Sequence, residues 1–127
     1  MGVRILGIDY GSKHIGLALS DPSGTIAQPH SVIANSSTTL SQIVKLVRNE
    51  QVEQIVLGDA LNLARQSNDI TAAVVKFKLE LEQQLNLPVI WEREDLTSVE
   101  ADREIVDDNS HARAASLILR NYLERRP

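Results

Sequence analysis

Residues 3–20 read Val-Arg-Ile-Leu-Gly-Ile-Asp-Tyr-Gly-Ser-Lys-His-Ile-Gly-Leu-Ala-Leu-Ser. Residues 3–9 read as a buried strand and residues 15–20 as a second, joined by a link short enough for a hairpin. The first strand ends on Asp9, a carboxylate whose burial without a partner would cost free energy. One explanation is a cap on the turn at Tyr10-Gly11. The other is a hard-cation ligand, because oxygen donors on a rigid strand suit Mg²⁺ or Mn²⁺.

Outward from this hairpin the pattern stays legible. Asp21-Pro-Ser-Gly24 is a turn, with Pro fixing φ at its second position and Gly closing it. A third strand is expected over Thr25–Ala34, and Pro29 suits a sheet edge. Leu40, Ile43, Val44 and Val47 then recur at helical spacing, with Ser36, Ser37 and Thr38 as N-cap candidates. Gln54–Gly58 reads as a buried strand. Ile70, Val74, Phe77, Leu81 and Leu85 mark a long amphipathic helix, and Pro88–Glu92 reads as a fifth strand. Thr97-Ser-Val-Glu100 fits a capping box that opens a short helix. His111–Leu123 reads as a final helix, Ala-rich at its start. The order β-β-β-α-β-α-β-α-α predicts an α/β fold with a five-stranded mixed sheet. It begins as an antiparallel meander, continues as β-α-β-α units, and carries helices on both faces.

The chain has 127 residues and 43% hydrophobic content, which fits a single domain over 1–127 with a Val, Ile, Leu and Ala core. With no cysteine, disulfides and thiolate metal sites are excluded and a reducing, cytoplasmic setting is expected. The N-terminus lacks the features of a signal peptide, and no apolar run approaches the ~18 residues of a membrane span. The formal charge is −4. A nucleic-acid function would therefore need local Lys/Arg patches, bound cations or a partner.

Other residues are candidates by position. Ser12 and Lys13 lie in the hairpin link, where backbone N–H groups could cradle a phosphate; a plain hairpin with a solvated Lys is an equal reading. Glu92, Arg93, Glu94 and Asp95 follow the fifth strand. Alternation puts Glu92 and Glu94 on one face and Arg93 on the other, so either Glu is a candidate partner for Asp9. Asn62 and Arg65 follow the fourth strand, in a position that often faces a ligand, although a solvated loop is the commoner case. His111 opens the last helix on the side of Ala115, Ile118 and Tyr122, its expected packing face.

Four segments together resemble the YqgF/RuvX family: residues 5–21 around Asp9, Ile55–Asn62, Glu94–Ala101 and Ala114–Leu123. They occur in order and span nearly the whole chain. The resemblance implies a ribonuclease H-like superfold and the activities ascribed to that family, trimming of pre-16S ribosomal RNA and Holliday-junction resolution. Carried over by position, the family's first catalytic Asp falls on Asp9 and the Glu of its DER motif on Glu94. Its last catalytic Asp falls on His111, a substitution that related resolvases tolerate. Arg93 and Asp95 also depart from DER, and the strand-4 loop lacks the usual Pro, Met, Asp and Gly.

The resemblance implies two-metal phosphodiester hydrolysis, with Asp9, Glu94 and His111 as catalytic residues and metal ligands. An imidazole in place of a carboxylate favours Mn²⁺ over Mg²⁺. Ser12, Lys13, Asn62 and Arg65 would contact nucleic acid. The expected partners are pre-rRNA or branched DNA, and ribosomal assembly particles, with no membrane, for a monomer or homodimer. Two rivals stand beside this reading. A phosphotransferase of the actin-like ATPase and sugar-kinase superfamily shares the Leu-Gly-Ile-Asp-x-Gly opening, but such enzymes close two lobes over ATP and 127 residues supply one. A non-catalytic descendant that binds RNA or an assembly partner would explain His111, Arg93 and the altered loop.

Overall fold

The computed structural model describes residues 3–11, 13–58, 68–92 and 110–125. Its strands are β1 (Arg4–Tyr10), β2 (His14–Ser20), β3 (Ala27–Ala34), β4 (Val52–Gly58) and β5 (Val89–Glu92). Its helices are α1 (Thr39–Asn49), α2 (Asn68–Leu85) and α3 (Ser110–Arg125). The strands form one sheet in the order β3-β2-β1-β4-β5. β1 pairs antiparallel with β2, and β2 antiparallel with β3. β4 runs parallel to both β1 and β5. This is the expected meander followed by parallel units, with β1 at the centre. The short helix expected at Thr97–Glu100 lies outside the described residues.

Alternation along β1 sorts the molecule into two layers. Leu6 and Ile8 point to one face, where Ile15 and Leu17 of β2 and Ile55 and Leu57 of β4 join them. Ile43 and Val47 of α1 cover this face together with Val74, Phe77 and Leu81 of α2. Burial of each such side chain stabilises the fold by roughly 1.5–3 kcal/mol. Ile5 points the other way, with Ala18 and Val56, and meets Ala115, Ile118 and Leu119 of α3. The first layer is built from large side chains. The second mixes Ile5, Ile118 and Leu119 with Ala18 and Ala115, and the helix comes close where the strands carry Gly7 and Gly16.

Local chemistry sets the element ends. In the β2–β3 turn the Gly24 N–H donates to the Asp21 carbonyl at 2.9 Å, with Gly24 at φ 73°, a conformation glycine adopts without steric cost. The Asp21 carboxylate accepts the N–H groups of Thr25 at 2.7 Å and Ile26 at 2.8 Å, and the Ser23 hydroxyl. Those bonds withdraw Thr25 and Ile26 from the ladder, so β3 starts at Ala27 rather than at the expected Thr25. Chiefly through the Ser23 hydroxyl, then the two N–H groups, they hold the Asp21 carboxyl well below the usual carboxylate range. β3 is an outer strand of the sheet, as Pro29 suggested, and its register shifts opposite Leu17 and Ala18.

Thr38 occupies the N-cap position of α1 without a side-chain capping bond. Instead the Thr39 hydroxyl accepts the Ser36 N–H at 2.8 Å and donates to the Ala34 carbonyl at 2.8 Å, joining the helix start to the end of β3. The helix closes where the Glu50 N–H donates to Leu46 at 2.9 Å and Gln51 turns to φ 55°. Arg4 then pairs with Glu50 at 2.7 Å and ties this corner to β1.

Candidate active site

Asp9 lies near the end of the central strand, on the face covered by α3, and its residue is 1% exposed. Its Oδ2 stands 3.2 Å from Nδ1 of His111 in the first turn of α3. A carboxylate only accepts, so Nδ1 is the donor, and Nε2 is the nitrogen left to hold a cation or move a proton. The two residues are 102 positions apart in the chain. They meet because Gly16, opposite Asp9 in the β1–β2 ladder, lets α3 descend onto the hairpin. His111 is partly exposed, so the pair lies between the core and solvent.

The hairpin link below the pair is pinned from β3. The Asn35 side-chain amide donates to the Gly11 carbonyl at 2.9 Å, and the Asn35 N–H donates to the Lys13 carbonyl at 2.9 Å. Lys13 is exposed in this link. His14 follows it, also exposed, with its ring centroid 5.8 Å from that of His111.

Glu92 ends β5 on the same sheet face, because Val89 and Trp91 pack into the opposite layer. It pairs with Gly58, while Leu57 pairs with Ile8, so it stands two strands from Asp9, about 10 Å at ordinary strand spacing. Glu92 is buried and meets Arg125 Nη2 of α3 at 2.5 Å. Of the two glutamates expected as partners for Asp9, this one is engaged by the far end of the same helix that brings His111.

Asp9, Lys13 and His111 are thus described, and the structure brings Asp9 and His111 together. Ser12, Asn62, Arg65 and Glu94 lie outside the described residues. One carboxylate and one imidazole are donors that a divalent cation accepts, and a carboxylate on a rigid strand suits Mg²⁺ or Mn²⁺. Among the described residues no group of three or more His, Asp or Glu could hold a metal ion, so a complete ligand set would need a residue beyond them. Sequence reasoning missed Gly16, His14 and Arg125. A glycine inside a strand signals close backbone approach, and that signal was present at Gly16. The Arg125–Glu92 pair had none, since nothing in the pattern links residues 33 positions apart.

Residues 3–125 match the RuvX family model, described as Holliday junction resolvase. A protein of Streptococcus pyogenes serotype M49 (strain NZ131), named as a candidate pre-16S rRNA nuclease, is 34% identical over 137 residues, covering 97% of this chain and 99% of that protein. A protein of the same name from Streptococcus uberis (strain ATCC BAA-854 / 0140J) is 33% identical over the same coverage. Among solved structures, Thermus thermophilus RuvC in complex with a Holliday junction substrate aligns with TM-score 0.64 at 14% identity, over 95% of this chain and 94% of that one. The fowlpox virus Holliday junction resolvase aligns with TM-score 0.59 at 13% identity, over 96% and 98%. The fold is the ribonuclease H-like fold of RuvC, as the order of elements predicted.

Proposed function

This chain belongs to the RuvX family, and on that premise we propose that it is a metal-dependent nuclease that hydrolyses phosphodiester bonds at the 5′ end of pre-16S rRNA. The carrying observation is the buried Asp9 carboxylate with His111 against it at 3.2 Å, at the centre of a fold matched over nearly its full length. That pair stands where the family resemblance puts its first and last catalytic residues.

In this reading Asp9, His111 and Glu94 hold the divalent cations. When bound, the cations supply an activated water and charge stabilisation at the leaving oxygen. The protein's own contribution is placement. Asp9 is fixed by the central strand, and His111 is oriented by its Nδ1 bond to Asp9, which would leave Nε2 for a cation. Lys13 in the exposed hairpin link, with Ser12, Asn62 and Arg65, would contact the phosphate backbone. Such local contacts are what a chain of net charge −4 needs in order to hold RNA. The nitrogen donor favours Mn²⁺ over Mg²⁺. We place the activity in one domain over 1–127, in a reducing cytoplasm, a setting that a chain without cysteine fits. Among the described residues no helix is long and apolar enough to cross a membrane.

The family description supports a second substrate, branched DNA. One experiment addresses both: cleavage of an RNA bearing the 5′ extension of 16S rRNA, beside a four-way DNA junction, in Mn²⁺ and in Mg²⁺. The expected result is RNA cleavage at the extension, faster in Mn²⁺, and absent in Asp9→Asn. Junction cleavage alone would move the assignment to resolution. Retained RNA binding without cleavage of either substrate would identify a non-catalytic descendant.

A further inference from the structure

We propose that Gly16 is a positioning residue for the Asp9–His111 pair: its missing side chain sets the distance between the two groups. Three contacts close a ring. Gly16 pairs with Asp9 across the β1–β2 ladder. Its Cα face abuts the first turn of α3, where an added Cβ would overlap the His111 carbonyl and come within 2.8 Å of the Ala112 nitrogen. The His111 ring then returns to the Asp9 carboxylate at 3.2 Å.

The three atoms nearest to such a Cβ are all backbone, so no change of rotamer relieves their clash. The first turn of α3 would have to lift by about 1 Å or more, a displacement on the scale that costs about 100-fold when it separates reacting groups. The lift would fall on His111 itself, since the struck carbonyl is its own.

Two other glycines of the hairpin face the same helix and serve as controls. A Cβ at Gly7 would lie 2.8 Å from the Leu119 Cβ and 2.9 Å from the Ala115 carbonyl oxygen, one to two turns along α3. It would press on the helix without touching His111. A Cβ at Gly11 would lie 3.3 Å from His111 Cε1, but 2.5 Å from the His14 carbonyl oxygen; it would disturb the hairpin link as well, so it discriminates less. Gly7 and Gly16 thus separate helix packing from the placement of His111.

The inference rests on the assignment of Asp9 and His111 to the active site, and its test reads His111 without requiring turnover. The imidazole nitrogens of His111 are observed by ¹⁵N NMR in the full chain, in Gly16→Ala and in Gly7→Ala, alongside thermal melts and single-turnover RNA cleavage in Mn²⁺. We expect both variants to lower Tm. Only Gly16→Ala should move the His111 Nδ1 resonance away from its hydrogen-bonded position, and only that variant should slow cleavage, by about 100-fold. A His111 spectrum in Gly16→Ala identical to the parent overturns the proposal, as does an equal change in Gly7→Ala. If Gly16→Ala does not fold, the double variant Gly16→Ala/Ala112→Gly, whose first-turn peptide can rotate away, carries the same expectation and the same contrary result. A parent chain that cleaves nothing would defeat the nuclease assignment, while the NMR comparison would still decide the role of Gly16.

Discussion

Ile8 and Asp9 are neighbours in β1, yet they belong to different halves of the molecule. Ile8 points into the layer of large aliphatic residues under α1 and α2, and Asp9 points toward α3. On the first side Leu6, Ile15, Leu17, Ile55 and Leu57 belong to one large aliphatic cluster. On the second, Ile5, Ala18, Val56, Ala115, Ile118 and Leu119 form a smaller apolar cluster, flanked by Asp9 with His111 and by Glu92 with Arg125. The difference teaches a division of labour within one sheet. The strands are held in register by the aliphatic face, and that rigidity lets the other face keep the Asp9 and Glu92 carboxylates buried. Such groups cost stability at the site and are retained because the rest of the fold over-determines their positions.

The largest effect is expected from removing a large side chain of the first face. Ile8→Ala or Leu57→Ala should cost about 2–5 kcal/mol in urea melts, with cleavage per folded molecule unchanged. Loss of cleavage at full occupancy of the folded state would mean that the two faces are coupled. Arg125→Ala acts on the second face and removes a charged partner from buried Glu92. It should cost about 1–2 kcal/mol, less than the aliphatic truncations because the Arg125 side chain is 65% exposed. A thermal melt that does not move would show that Glu92 relies on its other contacts.

At the site, His111→Asp restores the carboxylate that the family resemblance expects there. The ratio of cleavage rates in Mn²⁺ and Mg²⁺ should fall by about 10-fold, because an oxygen donor removes the preference for the later metal. An unchanged ratio would remove His111 from the cation's ligands. The smallest effect lies away from both faces, at Asp21. Its folded-state carboxyl titrates below the unfolded value, so the folded chain binds fewer protons there. The stability it contributes is present above about pH 4 and is lost as pH falls through the folded-state value. Asp21→Asn should therefore flatten the acid limb of the stability curve, measured by melts between about pH 2 and pH 6, and leave neutral cleavage alone.

Much of this division was legible in the chain. Residues 3–9 were legible as a buried strand, and a lone carboxylate at its end stood out; which of its side chains faces which helix layer was not. Pro29 marked an outer strand, and helical spacing located α1, α2 and α3. The start of β3 was not legible, because Asp21 withdraws Thr25 and Ile26 from the ladder by side-chain bonds that no hydrophobic pattern encodes. Gly7 and Gly16, as glycines inside strands, signal a close backbone approach, but that α3 is the element approaching is visible only in the fold. The partnership of Glu92 with Arg125 is long-range and ionic, and periodicity records neither property. Asp9 and His111 were candidates by position and were joined in one site by the resemblance, but their direct contact through Nδ1 emerged only with the fold.

The most direct measurement sets Asp9→Asn beside Ile8→Ala in single-turnover cleavage of the extended rRNA substrate with Mn²⁺, with a urea melt of each. Asp9→Asn should melt within about 1 kcal/mol of the parent, since an amide keeps the shape and removes a buried charge, and should lose at least about 100-fold in cleavage. Ile8→Ala should show the reverse, a large loss of stability with cleavage intact. Full cleavage by Asp9→Asn would contradict the assignment of Asp9, and with it the division between the two faces of the sheet.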